Sequence, residues 1–466
     1  MDRSSEKAQG SLYVDNLIGG ETPTRVSSTI FLLLCFIPVF STILFGGVDT
    51  VTWIMISVLW LAIVLLWIVE AWNSGGLLIN TSSLQLPILG WVAIGIVQLM
   101  PLGGGSGDQG GIAVSRALSM DPYSTRFFLV RLVVYFVFFA ACLTFINNEK
   151  RLKKVVTLAI LFGSIMAFYG ILQRLANPDG IYGLRATPQS IPFGPFVNQH
   201  HSAAFMQMTG GLALGLLFGK DMGREKMVLL ASAFVLMGVA VILPSSRGGL
   251  LGFVTVVSLV VIFNFMSGRW SRSQQLNDGT NSPSQKKLVL AAAVGALLIL
   301  VVGTVLFVGG DEALLRGTGI VNSTGDVTNG RGHFWPVAIS IFRDHPILGA
   351  GFDAFGVAFT SHDSWNGLLR VEQAHNEYLQ TLTDSGIAGF ICIAGFIFLL
   401  FRKGLATISN AAGFSQEAAI GALAGCAGIL VHSFFDFPLR TPSNAFFFLT
   451  LCAIATVSIS GVRQRR

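Results

Sequence analysis

The chain has 466 residues, 52% of them hydrophobic and only 12% charged, and its mean hydropathy is +0.68. That composition excludes an ordinary soluble domain and a disordered chain, and it supplies many apolar runs able to cross a hydrocarbon core of about 30 Å. The net charge of +6 and pI of 9.2 raise a nucleic-acid reading, which loses its support once the cations are sorted by side of the membrane.

Hydropathy predicts an all-α, polytopic integral membrane protein of about 12 transmembrane helices. They fall near residues 27–46, 51–70, 82–102, 124–146, 152–176, 200–219, 227–245, 248–267, 288–309, 379–401, 416–434 and 443–461. Residues 1–26 and 462–466 read as cytoplasmic tails around a membrane domain over 27–461. The first 25 residues lack an apolar h-region, so no cleaved signal peptide is expected. With the N-terminus inside, 19 of the 30 Lys and Arg, including every Lys, lie on the cytoplasmic side, and the positive-inside rule makes both termini cytoplasmic. The other 11 cations are all Arg. A face that uses only the bidentate guanidinium suits phosphate or carboxylate groups.

Along the chain, the segment 103–123 opens with GGGSGDQGG and reads as a surface loop. Arg126 and Arg131 begin the fourth helix and Arg174 ends the fifth. An Arg at membrane depth costs roughly 2.5 to 3.5 kcal/mol, so each either snorkels to the interface or meets a partner or ligand. Arg185 lies in a rigid loop rich in Pro and Gly, YGLRATPQSIPFGPF. Arg247 sits in PSSRGG, a tight re-entry between two apolar runs, where Ser245, Ser246, Gly248 and Gly249 let another backbone or a ligand approach closely. Residues 268–287 read as a flexible polar linker.

Residues 310–378 form a long excursion on the arginine side, the expected periplasmic loop. Arg331 opens RGHFWPVAISIFRDHP, in which Phe334, Val337, Ala338, Ile341 and Phe342 recur at helical spacing, so a helix along the membrane surface is predicted. Its N-terminal amides add to the anion-binding tendency of Arg331. PILGAGFDAFG follows as a glycine-rich turn, and a second helix is predicted in VEQAHNEYLQTLTD, where Val371, Ala374, His375, Tyr378, Leu379 and Leu382 share a face. That face turns His375 toward apolar packing. Arg185, Arg247 and Arg331 are candidate diphosphate ligands, with Arg174 and Arg370 as possible supports. The five cysteines lie in apolar runs without CxxC spacing and read as buried hydrophobes. HExxH, DxD and GxSxG patterns are absent from the sequence, and no cofactor or metal is expected.

His375 and Asn376, nine residues, then Gly386, Ile387, Ala388 and Gly389 resemble the H-N-x9-G-x-x-G signature of the bacterial O-antigen ligase superfamily. That superfamily includes related polysaccharide polymerases and O-linked protein oligosaccharyltransferases. Where ligases commonly continue with two threonines, Phe390 and Ile391 stand here. The twelve-helix pattern, the long loop between the ninth and tenth helices, SSRGG and GRGHFW also fit, and the resemblance covers about residues 180–440. It implies glycosyl transfer at the periplasmic face of the bacterial inner membrane. The donor would be a glycan on undecaprenyl diphosphate, and lipid A core, a glycan or another hydroxyl compound the acceptor. His375 would take the acceptor proton, the arginines would hold the diphosphate, and Asn376 or Glu377 would orient His375 or touch sugar hydroxyls. The alternative is a transporter or flippase for an anionic lipid-linked substrate, which would be expected to show internal repeats and paired broken helices; no half-to-half similarity is evident. Metal independence is the resulting expectation: turnover should survive EDTA, and loss of activity restored by a divalent ion would refute it.

Overall fold

The computed structural model describes residues 24–103, 116–176, 180–188, 190–219, 222–274, 330–364 and 371–457. Most of them are helical. Helices α1 (Arg25–Ile43), α2 (Thr50–Ser74), α3 (Gln85–Gln98), α4 (Pro122–Phe145), α5 (Glu149–Ala176), α6 (Gln199–Leu217), α7 (Arg224–Ile242) and α8 (Arg247–Gln274) come first. They are followed by α9 (Arg331–Asp344), α10 (Phe355–His362), α11 (Glu377–Asn410), α12 (Phe414–His432) and α13 (Pro442–Thr456). Between α5 and α6 a small antiparallel hairpin pairs β1 (Gly180–Ile181) with β2 (Arg185–Ala186).

Among the described residues eight helices, α1, α2, α4, α5, α7, α8, α11 and α12, are long and apolar enough to cross a membrane, and α3 and α13 are shorter apolar helices. The chain is an integral membrane protein. The expected count of 12 is not reached among these residues. The expected span at 288–309, much of the 268–287 linker and the glycine run at 104–115 lie outside the described residues. On α2, Val51, Ile54, Val58, Leu61, Leu65 and Ile68 are exposed, whereas Ile56, Ile63 and Trp67 are buried, so one helix face meets lipid and the other meets protein.

The centre is built from α6, α8, α12 and α13. Helix α6 is buried over nearly its whole length, including the polar Ser202, Gln207 and Thr209. It can lie this close to α12 because glycines face each other: a Cβ on Gly211 would fall 2.8 Å from the Gly421 carbonyl oxygen, and one on Gly215 2.6 Å from the Gly421 Cα. In lipid, where burial of apolar surface drives little helix association, such backbone contact supplies the packing energy. Around this seam Phe446 of α13 makes edge contacts with Phe138 and Tyr135 of α4, at 4.9 and 5.0 Å between ring centroids.

Helix α11 is broken at Gly386, whose φ of 62° and ψ of −163° are outside the helical region. The break frees backbone groups inside an apolar segment, where each unsatisfied group costs several kcal/mol. Residues 346–351 satisfy them. Ala350 N donates to Thr383 O at 2.7 Å, Gly351 N to Asp384 O at 3.2 Å, Ile387 N to Pro346 O at 2.9 Å and Ala388 N to Ile347 O at 3.2 Å. Buried Gln98 joins both strands of this contact: its Nε2 donates to Leu348 O and Asp384 O, and its Oε1 accepts from Phe352 N. The glycine-rich PILGAGFDAFG segment is thus a turn, as expected, but one that fills a helix break and then continues into α10. A Cβ on Gly386 would lie 2.4 Å from the Ile347 carbonyl. Gly386→Ala is expected to destabilise the protein by at least about 3 kcal/mol. Gly395→Ala on the same helix, where nothing lies within 4 Å, should be close to neutral. Thermal unfolding of both variants in detergent measures the difference.

Candidate active site

One end of the bundle gathers the starts of α6, α8, α9, α11 and α13 and the end of α12. The helix carrying His375 does not begin at Val371 as the apolar periodicity suggests. Asn376 caps it, its side-chain oxygen accepting from Tyr378 N and Leu379 N at 3.1 Å each, so α11 starts at Glu377. An Asn cap stabilises a helix start by about 1 kcal/mol. His375 therefore lies in the preceding turn with φ of 50°, in the left-handed region that few non-glycine residues adopt. The ring is 36% exposed and still meets apolar packing, as expected, with its centroid 6.3 Å from that of Phe334 and 5.0 Å from that of Phe437. Asn376, proposed to touch sugar or orient His375, is engaged as the cap.

His375 Nδ1 stands 3.3 Å from Asp436 Oδ1. A carboxylate only accepts, so Asp436 favours the tautomer with the proton on Nδ1, which in the neutral ring leaves the lone pair on Nε2. Asp436 also accepts from Phe437 N at 3.0 Å. Burial alone would raise the Asp436 carboxyl, but the His375 hydrogen bond and the fields of neighbouring imidazoles outweigh it and hold the group well below the usual carboxylate range. Arg331 opens α9 and donates Nη2 to Phe435 O at 2.8 Å, while its buried Nε has no hydrogen-bond partner among the described residues. Burial lowers the Arg331 guanidinium from its ordinary value; Asp436 opposes that shift and the nearby Arg247 charge reinforces it. Arg331 thus lies between the Asp436 carboxylate and the like charge of Arg247.

Arg247 reaches this cluster through the small residues after it. A Cβ on Gly248 would lie 2.4 Å from the His432 ring and 3.1 Å from Phe435. The close approach expected at PSSRGG is therefore made by another side chain, that of His432. His432 is buried, with Nδ1 3.3 Å from Gln207 Nε2 and Nε2 3.5 Å from Ser246 Oγ.

Arg185 is placed differently. On β2 it forms an ion pair with Asp49, and its guanidinium lies 4.9 Å from the Phe45 ring centroid. No described contact joins it to Arg247 or Arg331. Arg174 lies in the last turn of α5, and Arg370 is outside the described residues. Arg126 is exposed, whereas Arg131 stands 5.1 Å over the Trp53 ring.

A second charged group surrounds Arg440, a residue that the sequence reading passed over. Its Nη1 donates to Asp353 at 3.0 Å and its Nη2 to Asp384 at 2.6 Å, and Nε lies 3.6 Å from Glu377 Oε2. The last pair is an ionic contact at a distance too long for a hydrogen bond. Glu377 therefore faces Arg440 and does not orient His375. Burial opposes the Arg440 charge, yet the Asp384, Glu377 and Asp353 carboxylates raise the guanidinium above its ordinary value. Asp384 sits two residues before the Gly386 break, and an acid within an apolar segment was the available signal that a cation had to be near. Asp436 carried a weaker signal, being in a short connection that hydropathy treats only as a loop.

Beside Arg440 a cavity of about 360 Å³ opens between α2, α3, α4, α11 and α13. Glu377, Gln373, His201, Arg131 and Asp353 form its polar part, and Ile88, Phe396 and Phe448 lie among its apolar walls. Phe437 separates it from the Asp436 cluster, its ring centroid 5.0 Å from those of both His201 and His375. Among the described residues no three His, Cys, Asp or Glu side chains come together so as to hold a metal ion.

The fold and site define a polytopic membrane protein with a histidine, a carboxylate and two arginines converging at one polar end. Residues 232–394, from α7 into α11, match the family model described as O-antigen ligase, which supports placing this chain in the O-antigen ligase superfamily. The match contains Arg247, Arg331 and His375 and stops before Asp436 and Arg440. No curated protein matches the chain.

Because Asp436 has a depressed folded-state value, its contribution to stability is present above the ordinary carboxylate value near 3.9 and is lost as pH falls through the folded value. Asp436→Asn is expected to lower Tm at pH 7, with the gap to wild type narrowing below about pH 4. Thermal unfolding across that range in detergent checks the sign.

Proposed function

We propose that this protein is a glycosyltransferase that moves a glycan from undecaprenyl diphosphate to an acceptor hydroxyl at the periplasmic face of the bacterial inner membrane. Ligation of O-antigen to lipid A core and the related polymerisation of surface polysaccharide are both reactions of this kind. The observation that carries the reading is that His375 and Arg331 lie by Asp436, with Arg247 near Arg331, three residues that the sequence had selected separately.

In the reaction, Asp436 holds the Nδ1 proton of His375 and fixes the ring. Nε2 accepts the proton of the acceptor hydroxyl as its oxygen bonds to C1 of the donor sugar. The C1–oxygen bond to the diphosphate breaks, and its electron pair passes to the diphosphate oxygen. Direct displacement inverts the anomeric centre. Arg331 and Arg247 bind the diphosphate, and the charge that grows on its bridging oxygen is stabilised most where water is excluded, as at the buried Nε of Arg331. Arg185 would join them only by exchanging its Asp49 partner.

Transfer is measured from a defined undecaprenyl diphosphate glycan, with lipid A core, free glycan or peptide as acceptor. His375→Ala is expected to lower kcat by about 10² to 10⁴. Arg331→Lys, which loses the bidentate fork, should cost at least about tenfold. A folded His375→Ala variant as active as wild type would sink the assignment, and the acceptor consumed by wild type identifies the reaction within the superfamily.

A further inference from the structure

The cavity beside Arg440 differs chemically from the Asp436 cluster. Five polar atoms of residues that line it lack a hydrogen-bond partner among the described residues: Trp53 Nε1, His201 Nε2, Gln373 Oε1, and Glu377 Oε2 and Arg440 Nε, which share only an ionic contact at 3.6 Å. Glu377 is 9% exposed. Buried polar groups left without partners are costly, so such a concentration in one cavity points to a polar occupant.

The kind of occupant follows from the donors and acceptors. Trp53 Nε1 and Arg440 Nε donate, Glu377 Oε2 and Gln373 Oε1 accept, and His201 Nε2 does one or the other. A diphosphate only accepts and would meet the two acceptor oxygens unfavourably. A hydroxyl both donates and accepts and suits the mixture. The charges agree: Arg131 and Arg440 stand against Glu377, Asp353 and Asp384, so this side has no excess of guanidinium to hold an anion, whereas Arg331 lies across Phe437 with the charge of Arg247 near it. Trp53, Trp91 and Phe128 add aromatic surface to the lining, and Ile88, Ile393 and Leu449 continue it along apolar helices.

We propose that this cavity seats an uncharged, hydroxyl-bearing headgroup carried on an apolar chain, and is the acceptor side of the site. The glycolipid assignment stands on the cavity alone; its role as acceptor rests on the glycosyl-transfer reading. The acceptor hydroxyl then reaches His375 past Phe437, while the donor diphosphate stays with Arg247 and Arg331.

The test uses the full chain in phosphatidylcholine nanodiscs with two photoreactive probes, an alkyl glucoside and an alkyl diphosphate, each with a diazirine in the same chain. Mass spectrometry locates the labels. The glucoside is expected to label α3, α11 or α13 at the cavity wall. Glu377→Gln, which changes one hydrogen-bonding atom, and Ile393→Trp, which fills space, should each reduce that labelling at least tenfold, and the diphosphate should label the same wall at least tenfold less. Equal labelling by the diphosphate, or glucoside labelling indifferent to both variants, overturns the proposal. Wild type that takes the glucoside as expected but transfers glycan to no acceptor upholds the glycolipid site and refutes the transfer reading, so the two failures are distinct.

Discussion

The break in α11 is the constraint on which the polar end depends. A helix interrupted inside an apolar segment must find partners for the backbone groups it frees, because lipid supplies none. Residues 346–351 supply them, and Gln98 secures the contact from α3. The same arrangement brings Asp353 and Asp384 together on Arg440. It also shortens the upper part of α11 into a separately capped piece, so that His375 stands in a turn at its head. Backbone satisfaction, ion pairing and the placement of the candidate base are thus parts of one arrangement.

The connection between α12 and α13 is equally economical. Within residues 433–441, Asp436 faces His375, Arg440 faces the carboxylates of α11, and Phe437 stands between. Two electrostatically different compartments are therefore referenced to one short segment. One holds Arg331 with Arg247 near it, and the other sets Arg440 among three carboxylates beside buried donors and acceptors. A reaction joining an anionic donor to a neutral hydroxyl needs that separation, since a uniformly cationic pocket would hold the donor in both places.

Much of the fold was legible from hydropathy, because lipid-crossing helices must be apolar over a known length. The surface helix beginning at Arg331 was also legible from its spacing, and it ends at Asp344. The second loop helix was placed too early. Apolar periodicity continues through Ala374 and His375, but the cap at Asn376 governs where the helix starts, and periodicity is blind to caps. Arg247, Arg331 and His375 were recognisable from motif and resemblance. Arg440 and Asp436 were not, since their meaning lies in contacts across 56 residues to Asp384 and 61 to His375. Arg185 shows the converse: a guanidinium in a rigid loop looked like a ligand group, and the hairpin gives it Asp49.

Helix α6 has a consequence for how the protein is made. With almost no surface facing lipid, and with Ser202, Gln207 and Thr209 in its interior contacts, it is poorly suited to stand alone in a bilayer. Its glycine seam is completed by α12, whose Gly421 follows Gly211 by 210 residues. Until then the middle of the bundle has a half-built wall, so assembly cannot simply proceed from the first helix to the last. The early helices must hold α6 provisionally, and a chain that stops before α12 presents the polar groups of α6 to lipid, a ready mark for membrane quality control.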